Sequence, residues 1–133
     1  MFRNRLIYRI ETLDGIGPYQ DHPNININDC PSYWRAPQPY DIKSVYYNKD
    51  YRMKYQIHDF YYAFPNLPAL NRWFNKKRRR IFAQSGFVCS VYKIRECYVI
   101  ADKYQCIFLK KKATKVDQYN LISLDSLAIP ALG

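Results

Sequence analysis

The sequence predicts a small α+β domain with a mainly antiparallel sheet and two short central helices. Three observations support this class: an alternating apolar and polar segment near the start, two capped helix-like segments near the middle, and several strand-like segments after them. The 133 residues correspond to one domain, residues 1–133, which is long enough to bury a core.

The first strand is predicted over residues 5–11, where successive side chains alternate between two faces. Residues 14–18 contain two glycines and a proline, which predicts a turn. Residues 20–58 contain four prolines and many tyrosines, so we interpret them as an irregular Tyr/Pro-rich insertion or lid. Short strands are expected within it near residues 44–47 and 53–57.

Two helices are predicted in the middle of the chain. Asn66 has the side chain of a helix N-cap, and Pro68 suits the first turn of a helix. Apolar residues then repeat at helical spacing through residues 67–74. A second helix is expected over residues 77–85, with Gly86 as the residue that ends it.

Apolar, β-branched and aromatic residues dominate the remaining segments and predict further strands. The expected strands are residues 87–94, 97–101 and 104–109, with a last strand over residues 116–124.

The charge is concentrated in the second half of the chain. Residues 1–62 hold eight basic and seven acidic side chains, whereas residues 63–133 hold thirteen basic and four acidic ones. Such a surface attracts polyanions or an acidic protein surface, and a simple solvated basic face is the alternative. The candidate partner-binding residues form two runs: Lys76, Lys77, Arg78, Arg79 and Arg80, and Lys110, Lys111 and Lys112.

The sequence lacks the motifs of several classes of enzyme. The chain has no phosphate-binding P-loop, no nucleophile-elbow motif and no visible cluster of acids for a two-metal nuclease. Its four cysteines are not at metal-ligand spacing, and it has two histidines, so no metal site is expected. No secretory signal and no apolar run of membrane-spanning length is visible, which predicts a protein of the cytosol.

The order of five segments resembles small phage-encoded proteins. The resemblance covers residues 6–19 and 60–124, and it is specific through the order and spacing of its pieces. These pieces are IYRIE at 7–11, GIGPY at 15–19, AFPNL at 63–67, GFV to VYK at 86–93, and YQCIF at 104–108.

This pattern is in turn similar to a reduced ADP-ribosyltransferase-like fold, whose enzymes cleave NAD and transfer ADP-ribose. The resemblance implies that Arg9 occupies the first signature position and holds an NAD phosphate bidentately. It places Asn66 at the second position, with Tyr62 or Phe64 stacking on nicotinamide. Gln105 falls where these enzymes carry the catalytic glutamate.

A glutamine at that position departs from the family pattern. It keeps the hydrogen bonds but loses the negative charge, and such electrostatic interactions are typically worth about 10²–10³ in rate. The fold would then be kept while transferase chemistry is weak or absent. Structural explanations also exist: Arg9 as a strand-face residue, Asn66 as a helix cap and Gln105 as an exposed strand residue.

Three functions follow from these observations. The leading one is a small basic phage or mobile-element protein that binds and modulates a host factor, such as a defence complex of the kind that anti-CRISPR proteins target, or a nucleic-acid-processing complex. The alternative is an NAD-dependent mono-ADP-ribosyltransferase, or a nucleotide-binding derivative of one, for which NAD would be the cofactor. The third is direct binding of nucleic acid. The missing catalytic motifs favour a protein that is not an enzyme.

Overall fold

The computed structural model describes residues 3–17, 60–101 and 105–124. The predicted insertion at 20–58, with its two short strands, lies outside these residues, and the single domain over 1–133 stays a prediction. The strands are β1 (Asn4–Thr12), β2 (Phe60–Ala63), β3 (Phe87–Arg95), β4 (Val99–Ala101), β5 (Cys106–Leu109) and β6 (Thr114–Tyr119); the helices are α1 (Leu67–Trp73) and α2 (Lys76–Gln84). Three short 3-10 turns complete the described elements: Glu96–Tyr98, Lys110–Lys112 and Leu121–Ser123.

The described strands form two antiparallel sheets of three strands each. The first sheet has the order β1-β3-β6 and the second has the order β2-β5-β4. The two sheets meet where Tyr8 of β1 pairs with Phe64, just after β2, through backbone hydrogen bonds of 2.9 and 2.7 Å. The antiparallel sheets, together with the two helices, confirm the coarse prediction of a small α+β domain.

The first sheet lies between the helices and the second sheet. Ile10 on one face of β1 packs with Leu70 and Phe82 of the helices. Ile7 on the other face packs with Phe108 of the second sheet. Because β1 is covered on both sides, the polar residues that share the face of Ile7 are buried as well.

Both helices begin at an asparagine cap, of which the cap at Asn66 was predicted from the sequence. The Asn66 side chain accepts a hydrogen bond from the Ala69 amide at 2.8 Å, and the Asn75 side chain accepts one from the Arg78 amide at 2.9 Å. Gly86 follows α2 with a φ of +91°, a conformation that glycine adopts without strain. The second helix was expected at 77–85 and is displaced from there by one residue.

Four phenylalanines connect the helices to the first sheet. Neighbouring rings are arranged edge to face, with centroid distances of 6.1, 5.4 and 5.1 Å along the series Phe64, Phe74, Phe82 and Phe87. This geometry suits the aromatic quadrupole and adds to the burial of apolar area.

Some predicted boundaries were wrong. The strand expected at 97–101 begins only at Val99, because the residues before it form a 3-10 turn. The strand expected at 116–124 ends at Tyr119, where Asn120 caps another 3-10 turn. The short strand β2 was not predicted. Among the described residues, no helix is both long and apolar enough to cross a membrane.

The buried thiol of Cys89 makes stability depend on alkaline pH. Burial, helped by the negative charge of Glu11, raises the pKa of Cys89 from 9.0 to about 12. A raised pKa in the folded state gives a contribution that is complete below pH 9 and is lost as the pH rises toward 12. We therefore expect the free energy of unfolding to fall by about 1.4 kcal/mol per pH unit in this window because of this thiol.

Urea unfolding between pH 8 and pH 11 would measure this slope. Cys89→Ala should make this slope less steep, whereas Cys97→Ala should leave it unchanged, since Cys97 is exposed. An unchanged slope in Cys89→Ala would contradict the assignment.

Candidate functional site

A charged pair lies buried between the two sheets. Arg9 and Glu11 are two residues apart on β1, so their side chains share a face. The Arg9 Nε atom lies 2.8 Å from Glu11 Oε1, and the two residues are 5% and 2% exposed. Charged residues are rarely this buried unless they are paired, so this pair marks an unusual site in the fold.

The Arg9 guanidinium is enclosed by other protein groups. Its Nη1 donates to the Tyr62 carbonyl at 2.8 Å, and its Nη2 lies 3.5 Å from the Gly15 carbonyl. The guanidinium carbon lies 4.9 Å from the centre of the Tyr61 ring. At Gly17, a Cβ atom would lie 2.8 Å from Nη2, so a side chain at this position would have to displace the guanidinium.

A chain of hydrogen bonds continues from Glu11 to a lysine. The Tyr92 hydroxyl donates to Glu11 Oε2, and Lys110 Nζ donates to the Tyr92 hydroxyl oxygen at 2.7 Å. Burial and the bond to Glu11 raise the pKa of Tyr92, so this phenol stays protonated and remains the donor to Glu11. Burial also lowers the pKa of Lys110; Arg9 and Lys115 add to this effect, and Glu11 opposes it.

This series of hydrogen bonds ends at a small cavity of about 280 Å³. Charged, tyrosine and small apolar side chains surround it, and the turn after β1 closes one side. The lining residues are Glu11, Leu13, Asp14, Gly15, Tyr61, Tyr92, Lys110, Ala113 and Lys115. The cavity thus brings the buried carboxylate, one phenol and two lysines to a single space.

The model of one phage protein family, described as Bacteriophage T4 Y00F protein, matches residues 1–122. The chain belongs to this family. The Y00F match confirms the predicted relation to small phage proteins and includes every residue that lines the cavity. No curated protein and no solved structure matches the chain significantly.

Of the five residues that the ADP-ribosyltransferase resemblance singled out, Arg9 and Tyr62 are in contact through the Tyr62 carbonyl, and the side chains of the others have separate roles in this Y00F-family structure. Asn66 caps α1, Phe64 is packed among the phenylalanines, and Tyr62 packs on the far face of the second sheet. Gln105 directly precedes β5, so the prediction that it is a strand residue was wrong. The described residues that line the cavity include neither these four residues nor Arg9.

The first basic run is mostly on the surface, as the sequence predicted. Lys76, Lys77 and Arg80 are exposed, and Arg78 is half-buried. Arg79 is the exception and corrects the prediction, because it is 3% exposed and its Nη1 donates to the Phe74 carbonyl at 2.8 Å. It lies on the inward face of α2 and fixes the end of α1, so it cannot contact a partner.

The three lysines of the second basic run have different surroundings. Lys110 belongs to the cavity, whereas Lys111 and Lys112 are exposed, with Lys112 Nζ 5.3 Å from the centre of the Tyr98 ring. Since Lys110 packs on Tyr92 at the face opposite the helices, the two predicted basic runs lie on different sides of the first sheet.

Sequence reasoning found Arg9 but missed its relation to Glu11, Tyr92 and Lys110. One signal was available: an arginine and a glutamate at alternate positions of a strand whose neighbours are apolar. Such a pair shares a face and is expected to pair when that face is buried. The contacts to Tyr92 and Lys110 depend on how the sheets stack, which no local pattern contains.

Proposed function

We propose that this Y00F-family protein acts by binding a host protein, and that the basic face of α2 contacts an acidic patch on that partner. The observation that supports this is the exposure of Lys76, Lys77 and Arg80 on a helix that has no acidic residue. Within the described ranges, no carboxylate forms an ion pair with these three cations. No carboxylate of the described residues neutralises their charge, and such cations favour a partner with an acidic surface.

The position of these cations on the helix also favours a binding role. Positive side chains in the first turn oppose the helix macrodipole, and each such contact typically costs about 0.3–1 kcal/mol. Lys76, Lys77 and Arg78 occupy the first three positions of α2. A face that served solubility alone would not need cations at this unfavourable place.

The face is held rigidly by the core beneath it. The Asn75 cap fixes the start of α2, and Phe82 on the inward side is completely buried. Arg79 attaches the same helix to the end of α1. A preorganised surface of this kind loses little conformational freedom when a partner binds.

A protein partner fits this face better than nucleic acid. The exposed cations from Lys76 to Arg80 extend over about 6 Å of the helix axis, which suits a compact acidic cluster. A duplex offers a long row of phosphates, and proteins that follow it spread their cations along it. The second basic run lies on the other side of the first sheet and does not extend this row.

The test compares two triple variants of equal charge. Lys76→Gln/Lys77→Gln/Arg80→Gln removes the α2 face. Arg3→Gln/Arg5→Gln/Lys93→Gln removes the cation just before β1 and one cation each from β1 and β3. Each protein is immobilised and challenged with host lysate, with and without nuclease treatment, and retained proteins are quantified at increasing salt. We expect one host protein to bind the wild type and the β1/β3 variant but to lose about tenfold in retention on the α2 variant.

Equal retention by the two triple variants would refute the α2 face, because net charge alone would then explain binding. Retention that disappears after nuclease treatment would refute a protein partner and indicate nucleic acid instead. For duplex DNA, the logarithm of the binding constant should then fall with the logarithm of salt by about 0.9 per phosphate neutralised.

The described residues do not support the NAD-dependent alternative. Arg9, which the resemblance assigned to an NAD phosphate, already donates to Glu11 and to the Tyr62 carbonyl. Asn66 is engaged as a helix cap, and a glutamine stands where the catalytic glutamate was expected. A host-binding protein therefore remains the proposed function.

A further inference from the structure

We propose that the cavity beside Lys110 binds a small molecule through an oxyanion group, a phosphate or a carboxylate, with Lys110 and Lys115 as the groups that hold it. This site is distinct from the α2 face and does not depend on the host-protein proposal. Both lysines line the cavity of about 280 Å³, together with Tyr61 and Tyr92.

The first argument is the number of hydrogen-bond donors. A lysine ammonium has three N–H donors and no acceptor. Lys110 uses one of them on the Tyr92 hydroxyl at 2.7 Å, and no other described residue accepts from it. Lys115, whose side chain is exposed, donates to Gln118 Oε1 at 2.7 Å. The half-buried ammonium of Lys110 is stabilised when its remaining donors find acceptors, and the oxygens of an oxyanion would supply them.

The second argument is charge. Glu11 lines the cavity, but its two oxygens already accept hydrogen bonds from Arg9 and from Tyr92. The negative charge of Glu11 is therefore balanced by the positive charge of Arg9. Two lysines then face one remaining acid, Asp14, which is exposed on the turn. The lining therefore carries one uncompensated positive charge, which matches a single oxyanion.

The third argument is size. Pockets for drug-sized ligands usually have volumes of about 300–1,000 Å³, and this cavity lies at the lower limit. A phosphate or carboxylate with a small organic body matches this volume, whereas a dinucleotide such as NAD would extend out of it. The side chains of Leu13, Tyr61 and Ala113 supply an apolar wall for that body.

The experiment titrates the whole protein with inorganic phosphate, with acetate and, as a screening control, with sodium chloride at equal ionic strength. Amide resonances of Gly15 and Ala113, which lie at the cavity, report binding by nuclear magnetic resonance. We expect saturable shifts in the millimolar range with one oxyanion or both, since two charge-assisted contacts support affinities of that order. Phosphate alone, acetate alone or both would each support the site and identify the preferred group.

Lys110→Met should weaken this binding by about tenfold, while Lys111→Met should leave it unchanged. The two lysines are neighbours in the same 3-10 turn and carry the same charge, but Lys111 is exposed and does not line the cavity. Lys115→Met provides a second test, because this variant should also lower the affinity without touching the hydrogen bond to Tyr92. Equal affinities in all three variants, or the absence of saturable shifts with both oxyanions, would overturn the proposal.

Discussion

Replacing Glu11 with glutamine is expected to lower the free energy of unfolding by about 3–5 kcal/mol. The carboxylate is 2% exposed and pairs with Arg9, which is itself 5% exposed. Removal of the negative charge leaves the guanidinium buried without a counter-ion, since its other contacts are neutral: two backbone carbonyls and a tyrosine ring. The cost of an uncompensated buried charge greatly exceeds that of a lost surface contact.

The other glutamate of the chain provides the control. Glu96 is exposed, so Glu96→Gln should change the free energy of unfolding by less than about 0.5 kcal/mol in the same urea titration. The double variant Arg9→Met/Glu11→Gln should be more stable than the sum of the single variants predicts, because it no longer buries a lone charge. A loss below about 1 kcal/mol in Glu11→Gln would show that water reaches the pair.

Replacing Phe82 with alanine is expected to lower the free energy of unfolding by about 3–5 kcal/mol. The Phe82 side chain is completely buried, and its ring lies 5.4 Å from that of Phe74 and 5.1 Å from that of Phe87. These contacts connect α1, α2 and β3, so the cavity left by alanine would lie at the junction of three elements. The surrounding elements could close this space only by moving together.

A neighbouring residue gives the comparison. Ile81 precedes Phe82 on α2 and is half-buried, so Ile81→Ala should cost markedly less, about 1 kcal/mol. Phe82→Leu should recover part of the stability because it refills most of the volume. Urea unfolding of the three variants would contradict the central role of this ring if Phe82→Ala and Ile81→Ala were equally stable.

The helices could be predicted because their signals are local. Asn66 and Gly86 act through atoms within a few residues of themselves, and the structure shows Asn66 as a cap and Gly86 as the residue that follows α2. The strand β3 was predicted for the same reason, since its apolar residues are continuous. β2 was missed because it consists of three aromatic residues and one alanine next to a tyrosine-rich stretch. These residues do not alternate between apolar and polar side chains as a strand pattern would.

The candidate site was predicted only in part, because its geometry is not local. Arg9 was singled out, but for an NAD phosphate and not for Glu11. The contact between Tyr92 and Glu11 joins residues 81 positions apart, and that between Tyr92 and Lys110 depends on the turn after β5. The burial of Arg79 shows the same limit: a run of five basic residues does not reveal which one turns inward.

The pairing of β1 with β3 has a consequence for the order of events during synthesis. Ile7 lies opposite Tyr92, so the first strand has no partner in its sheet until most of the described chain has left the ribosome. Until then, Arg9 and Glu11 are hydrated, and β3 alone does not enclose them, because β4 and β5 of the second sheet follow it in the chain. Dehydration of two charges is thus postponed to a late step in folding, when the second sheet covers their face of β1.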